Sequence, residues 1–174
     1  LKSKGSNIIL ILAIAVIIML SATTAGAQLF ALLRKLEEDN TPALTAYDDG
    51  TGTWTIGYGS IFNWDLNRPV QKGDTIPDAA TAERWLEQEA GSYLSQVQQM
   101  VTVPITQNQL VSLSSFAYNE GIGALKSSTL LKLLNSGSDI NTVANQFDRW
   151  VYAGHVFSQG LANRRAAEKQ LFLS

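Results

Sequence analysis

Glu37 and Glu38 stand in the stretch "LRKLEEDNTP", Asp48 and Asp49 in "TAYDDGTGTWTIGYG", and Thr55 follows six positions after Asp49. A carboxylate at the end of a helix, another on a hairpin just beyond it and a neighbouring hydroxyl are what hydrolysis of a glycosidic bond calls for. One carboxyl group is protonated to assist the leaving oxygen, the other is ionised to steer water, and the hydroxyl holds that water. Keeping the acid protonated near neutral pH means raising its pKa from about 4.3 to roughly 6 or 7, on the order of 3 kcal/mol, which partial burial against an apolar helix face can supply. Plainer readings exist for the same residues. Acids after a helix are usually solvated end charges, and Asp in a hairpin usually serves turn geometry.

The rest of the composition narrows the chemistry. The 174 residues contain no cysteine and one histidine, His155. Disulfides, thiolate catalysis and histidine- or cysteine-ligated metal clusters are therefore excluded, leaving carboxylates and hydroxyls. Thirteen basic and fifteen acidic residues give a formal charge of −2, with no basic field to hold nucleic acid. The length fits one compact domain plus an appendage.

Hydrophobic spacing supplies the elements that must position these groups. Leu29, Leu32, Leu33 and Leu36 recur at helical spacing, and "DNTP" breaks the helix. A hairpin follows, with its turn at Asp48 to Gly52 and with Trp54, Ile56 and Tyr58 alternating with Thr55 and Gly57; it is expected to be the one strand-rich region. From Asp78 the chain reads as helical. Asp78 caps a helix whose face is Ala82, Leu86, Ala90, Tyr93, Leu94 and Val97, and Thr106 with Gln109 has capping-box spacing. "SSTLLKLLNSG", "DINTVANQFDRWVYAG" and "LANRRAAEKQLFL" complete the set as three further helices, with Trp150 packing in the core and Arg164, Arg165 and Glu168 in surface or interlobe ion pairs. The fold class is α+β: a small hairpin lobe and a larger helical lobe with a cleft between them, plus an N-terminal hydrophobic helix.

That helix is the run Ile8–Leu20, thirteen apolar residues behind Lys2 and Lys4, followed by "SATTAGAQ" and no charge until Arg34. With its small-residue tail it reaches the ~20 residues of a bilayer span. The lysines orient the N-terminus to the cytoplasm, and insertion is favourable by about 3 to 6 kcal/mol. "AGA" at 25–27 also satisfies the small-x-small rule of a signal-peptidase site, so cleavage and retention as an anchor both stay open. The expected division is 1–27 as a signal-anchor segment and 28–174 as the domain.

"AYDDGTGTWTIGYG" resembles the hairpin motif of the phage-type lysozymes, glycoside hydrolase family 24. Tyr47, Asp49, Gly52, Thr55, Ile56, Gly57 and Gly59 fall on its pattern in order, and "VPITQNQLVSLSSFAYNEG", "SSTLLKLLNSG", "RWVYAG" and "GLANRRAAEKQLFL" are similar to segments of its helical lobe. The likeness spans about residues 29 to 174. It implies a lysozyme fold and an endolysin that hydrolyses the β-1,4 bond between N-acetylmuramic acid and N-acetylglucosamine of peptidoglycan, with inversion and without metal or organic cofactor.

The resemblance also implies a catalytic glutamate, aspartate and threonine. Asp49 and Thr55 take two of these roles, and Asp48 becomes a solvated turn acid. The family spacing, counted back from Tyr47, lands on Asn40. Three readings remain open: a short insertion with Glu37 as the acid, which continues the register of Phe30, Leu33 and Leu36; Glu38 as the acid; or no glutamate and an inactive domain. Tyr118, Ser128 and Thr129 match cleft-lining positions, against a core role for Tyr118 and an N-cap role for Ser128. His155 stands where the family often has glycine and is assigned no role. Likeness to signal-anchor-release endolysins implies an enzyme tethered to the inner membrane through residues 1–27, later released to the periplasm as a monomer, in cooperation with a holin or pinholin. A lytic transglycosylase and a non-catalytic, membrane-anchored wall-binding protein are the competing functions.

Overall fold

The computed structural model describes residues 24–36 and 41–174. The apolar run Ile8–Leu20, most of the expected anchor segment, and both candidate acids, Glu37 and Glu38, lie outside the described residues. Among the described residues no helix is long and apolar enough to cross a membrane.

Helix α1, residues 24–36, carries the leucine stripe read from the sequence. Leu29 and Leu33 are fully buried and Phe30 and Leu32 pack at the edge of the same cluster. Burying each leucine contributes about 1.5–3 kcal/mol. The helix runs unbroken through residues 27 and 28, and this part of it is docked too: Ala25 is buried, and Gln28 exchanges amide hydrogen bonds with Gln107 and Asn108.

The hairpin forms as its spacing predicts, from β1 (Ala43–Asp48) and β2 (Trp54–Gly57), antiparallel with Tyr47 opposite Thr55. A second, smaller hairpin, β3 (Phe62–Asn63) and β4 (Arg68–Pro69), continues the lobe. Gly57 is required where it stands. Its φ is +66°, in the left-handed region where a side chain is strained, and a Cβ there would come within 3.4 Å of that of Ala82 on the next helix.

That next helix, α2 (Ala79–Met100), is the spine of the molecule. Asp78 caps it by accepting from the Thr81 amide at 2.8 Å. At 22 residues it is about 33 Å long, enough to serve both lobes. Ala82, Trp85, Leu86, Ala90 and Leu94 belong to the core shared with α1 and the hairpins, whereas Val97 belongs to a second core with Leu113, Phe116, Leu125, Phe147 and Phe172. Around that second core lie α3 (Gln107–Glu120), opened by the Thr106–Gln109 capping box, then α4 (Ile122–Ser127), α5 (Thr129–Asn135), α6 (Ile140–Ala144) and α7 (Gln159–Phe172).

Two expectations need correcting. "DINTVANQFDRWVYAG" is not one helix: α6 stops at Ala144, a single 3-10 turn spans Phe147–Arg149, and the chain then forms a third hairpin from β5 (Tyr152–Ala153) and β6 (Val156–Phe157). The two residues between these strands, Gly154 and His155, both have positive φ, +52° and +74°. That is the signature of a type I′ turn, whose twist matches that of the strands it joins. Nor are Arg164, Arg165 and Glu168 on the surface. All three are buried in the helical lobe, where Arg165 joins α7 to the end of α3 through Glu120 at 2.8 Å and Asn119 at 2.9 Å. Trp150 is half-buried, edge-on to Phe116 with ring centroids 5.0 Å apart.

Candidate active site

Asp49 and Thr55 both belong to the first hairpin, Asp49 in its turn and Thr55 on β2. Tyr47 and Thr55 are register partners and so share a side of the pleat, and Asp49 follows β1 by one residue. Both side chains are fastened to Thr53. The Asp49 carboxylate accepts from the Thr53 amide at 3.3 Å, and the Thr55 hydroxyl points to the Thr53 carbonyl at 3.4 Å.

The turn also holds the Asp49 carboxylate from the other side. Oδ1 accepts from the Thr51 amide at 2.8 Å and from the Thr51 hydroxyl at 2.7 Å. These bonds, the hydroxyl first, keep its pKa below the ordinary aspartate value, so the group is an anion at neutral pH. Among the described residues every hydrogen bond to this carboxylate lands on Oδ1, which leaves Oδ2 for a water or substrate. Asp48 does a different job: its Oδ1 accepts from the amides of Gly50 and Gly52 and ties the turn together. Thr55 is 5% exposed, a hydroxyl set into the lobe.

Tyr118 meets this lobe from α3. Its hydroxyl donates to the Tyr58 carbonyl at 2.8 Å, three residues along the chain from Thr55, and its ring packs edge-on to Tyr93. Arg34 of α1 covers the Tyr58 ring at 4.6 Å. Ser128 and Thr129 lie elsewhere, in a cavity of about 320 Å³ that they share with Arg149 and Trp150. There Ser128 is the buried N-cap of α5, accepting from the Leu131 amide at 3.0 Å and donating to the Leu125 carbonyl at 2.7 Å, while Thr129 is exposed.

Sequence spacing missed a buried acid, Glu89, which stands on the apolar side of α2 between Leu86 and Ala90. It bonds to the Ser60 hydroxyl and accepts from Trp64 Nε1 at 3.4 Å, and burial pushes its carboxyl up from the ordinary glutamate value. The signal was available, because a carboxylate on the core face of an amphipathic helix needs a partner or a proton. Among the described residues no group of His, Asp and Glu is placed to hold a metal ion.

The fold and the hairpin define a class, the two-lobed lysozyme-like proteins. The muramidase domain of SpmX from Asticaccaulis excentricus superposes with a TM-score of 0.69 at 28% identity, covering 84% of this chain and 95% of that one. The family model described as phage lysozyme matches residues 39–168. The chain belongs to the phage lysozyme family. It is 40% identical over 121 residues to the endolysin of Bacillus phage B103, which covers 70% of this chain but 43% of that protein. The chain thus spans less than half the length of that relative. With the SAR-endolysin of Enterobacteria phage PA-2 it shares 32% identity over 127 residues, 73% of each chain.

Proposed function

We propose that the chain is a muramidase of the endolysin type, which hydrolyses the β-1,4 bond between N-acetylmuramic acid and N-acetylglucosamine in peptidoglycan and so lyses the host cell. The observation that supports this reading is that one short hairpin carries both an aspartate anion held by a single oxygen and the buried hydroxyl of Thr55. The attacking water is held between them, on the face of the sugar opposite the leaving group, and the anomeric configuration inverts. Glu37 is the general acid and Glu38 the alternative; each follows directly on the leucine face of α1. Tyr118, Ser128 and Thr129 contact the glycan, Ser128 by shape more than by hydrogen bonding because its hydroxyl already caps α5.

Residues 1–27 anchor the protein in the inner membrane with the N-terminus in the cytoplasm. The domain faces the periplasm and is released there as a monomer when a holin or pinholin acts. The apolar run and its flanking lysines support this part of the reading, together with the SAR-endolysin relative.

Turnover of purified peptidoglycan by the Glu37→Gln and Glu38→Gln variants, assayed separately, tests the proposal. Glu37→Gln is expected to lower kcat by about 10²- to 10⁴-fold, the usual worth of a general acid, and the parent is expected to yield reducing-end sugars. A 1,6-anhydro product would identify a transglycosylase instead. Binding without turnover by the parent would identify a wall-binding protein, and full activity in both variants would remove both glutamates from the mechanism.

A further inference from the structure

Between the β3–β4 hairpin and α2 lies a cavity of about 340 Å³ that shares no lining residue with the Asp49–Thr55 turn. Phe62 and Trp64, packed edge-to-face with centroids 5.2 Å apart, form one wall, and Glu89, Ser92, Tyr93 and Gln96 of α2 form the other. Glu89 is 7% exposed, and among the described residues no cation lies within ion-pair distance of it.

The Ser60 hydroxyl, 2.8 Å from the Phe62 carbonyl, donates to Glu89 Oε1. Burial without a counter-ion favours the neutral form of Glu89. Both the Ser60 and Trp64 bonds land on Oε1, which leaves Oε2 as an acceptor for a ligand in the cavity that Glu89 lines.

We infer that this cavity binds one N-acetylated hexose ring, lying against Phe62 and Trp64 and donating a hydroxyl to Glu89 Oε2. The volume is at the small end of ligand sites and suits a single ring. Aromatic edges and faces meet the C–H groups of a pyranose, the side-chain amide of Gln96 and the hydroxyl of Ser92 supply further hydrogen bonds, and a neutral acid admits an uncharged sugar without a counter-ion. The inference rests on the reading of the chain as a peptidoglycan hydrolase. It adds a glycan contact on the α2 side of the small lobe, connected to the main cleft through the packing of Tyr93 on Tyr118.

The test is titration of the full ¹⁵N-labelled chain, in a polyoxyethylene detergent, with the trimer of N-acetylglucosamine. Two resonances are followed, the Trp64 indole N–H for this cavity and the Thr55 amide for the main cleft. Both are expected to shift to saturation. Glu89→Gln has the shape of the neutral acid and keeps an oxygen acceptor, and is expected to hold the Trp64 response within about twofold of the parent. Glu89→Ala weakens it about tenfold or more. Ser92→Phe plugs the cavity and abolishes the Trp64 response while the Thr55 response remains, which keeps the test informative if Glu89→Ala fails to fold. A Thr55 shift with a still Trp64 would overturn this inference and leave the proposed function standing; stillness at both would overturn both. Equal losses in Glu89→Gln and Glu89→Ala would overturn the neutral-acid site.

Discussion

The Thr51 hydroxyl donates to Asp49 Oδ1 at 2.7 Å and in turn lies 3.2 Å from the Thr53 hydroxyl. Since the Thr51 hydrogen is used on Asp49, Thr53 must be the donor in the second contact, so two threonines in series feed one carboxylate oxygen. This explains why the turn is rich in hydroxyls, and it makes Thr51 the chief control on the charge of Asp49.

Thr51→Val should therefore move the acid limb of kcat/KM. Asp49 acts as an anion, and its lowered pKa keeps it ionised to below the ordinary 3.8; activity that depends on it is lost only as pH falls through that depressed value. Without the Thr51 hydroxyl the pKa rises toward the ordinary one, and the limb shifts to higher pH with little change in the plateau. A pH–rate profile of both proteins measures this. An unmoved limb would mean that another group sets it.

Asp49→Asn separates charge from shape. An asparagine oxygen can still accept from the Thr51 and Thr53 amides, so the turn and the melting temperature are expected to hold. Turnover of peptidoglycan should nevertheless fall about 10²- to 10⁴-fold, as expected for loss of a group that activates water. Thr55→Ala removes a water ligand and no charge, and its loss should be smaller. Steady-state kinetics with parallel melting curves decide between this account and a purely structural turn.

Arg165 and Glu168 are 1% and 0% exposed and lie 2.8 Å apart. Ser115 donates to Glu168 at 2.7 Å, and the guanidinium also donates to Glu120 from Nη1 and to Asn119 from Nη2. Breaking one side of such a pair strands a charge in the core: Arg165→Met should cost about 3–5 kcal/mol. The double change Arg165→Met with Glu168→Leu should recover much of that. Denaturant unfolding of the three proteins gives the coupling; additive losses would show that the pair is not a unit.

The caps at Asp78 and Thr106 and the alternation from Trp54 to Tyr58 were legible in the sequence because each depends on neighbours within four residues. That Asp49 and Thr55 share one hairpin was legible for the same reason, since six positions separate them. The buried Arg165–Glu168 pair was not: "RRAAEK" has the composition of a solvated helix face, and what buries it is α3, some 45 residues earlier. The third hairpin was lost to a different competition. Val143, Ala144 and Phe147 keep a helical period as far as Phe147, and the strand signal in "VYAGHVF" occupies too few residues to displace it. In Glu89, the one acid inside the apolar stripe of α2, a local pattern did carry the information, but its partners Ser60 and Trp64 come from loops that the helical period says nothing about.

His155 has a φ of +74°, a conformation that a residue with a Cβ reaches at a cost of roughly 1–2 kcal/mol. No sequence feature assigned it a role. His155→Gly should stabilise the protein by about 1 kcal/mol, partly offset by the greater chain entropy of glycine when unfolded. Thermal unfolding near neutral pH measures it. A destabilised variant would show that the imidazole makes a contact worth more than the backbone strain.

Arg68 and Asp74 form a two-pronged pair within the small lobe, Nη2 to Oδ1 at 2.7 Å and Nη1 to Oδ2 at 2.9 Å. The Arg68 hydrogen bonds, helped by the Gln71 amide and Asn63, lower the Asp74 pKa to about 2. A carboxyl group whose pKa is lower folded than unfolded adds stability above its unfolded value, here near 3.8. That stability drains away as pH falls from there to about 2. Because Arg68 is partly solvated, the contribution is about 1 kcal/mol, less than the shift alone would suggest. Asp74→Asn should therefore lower stability at pH 7 and flatten the stability curve in that acid window, so that the two proteins converge at its lower end. Melting temperatures measured across the acid range test this, and a constant gap between parent and variant down to the lowest pH would assign the loss to the Asn63 and Gln71 hydrogen bonds and not to the charge.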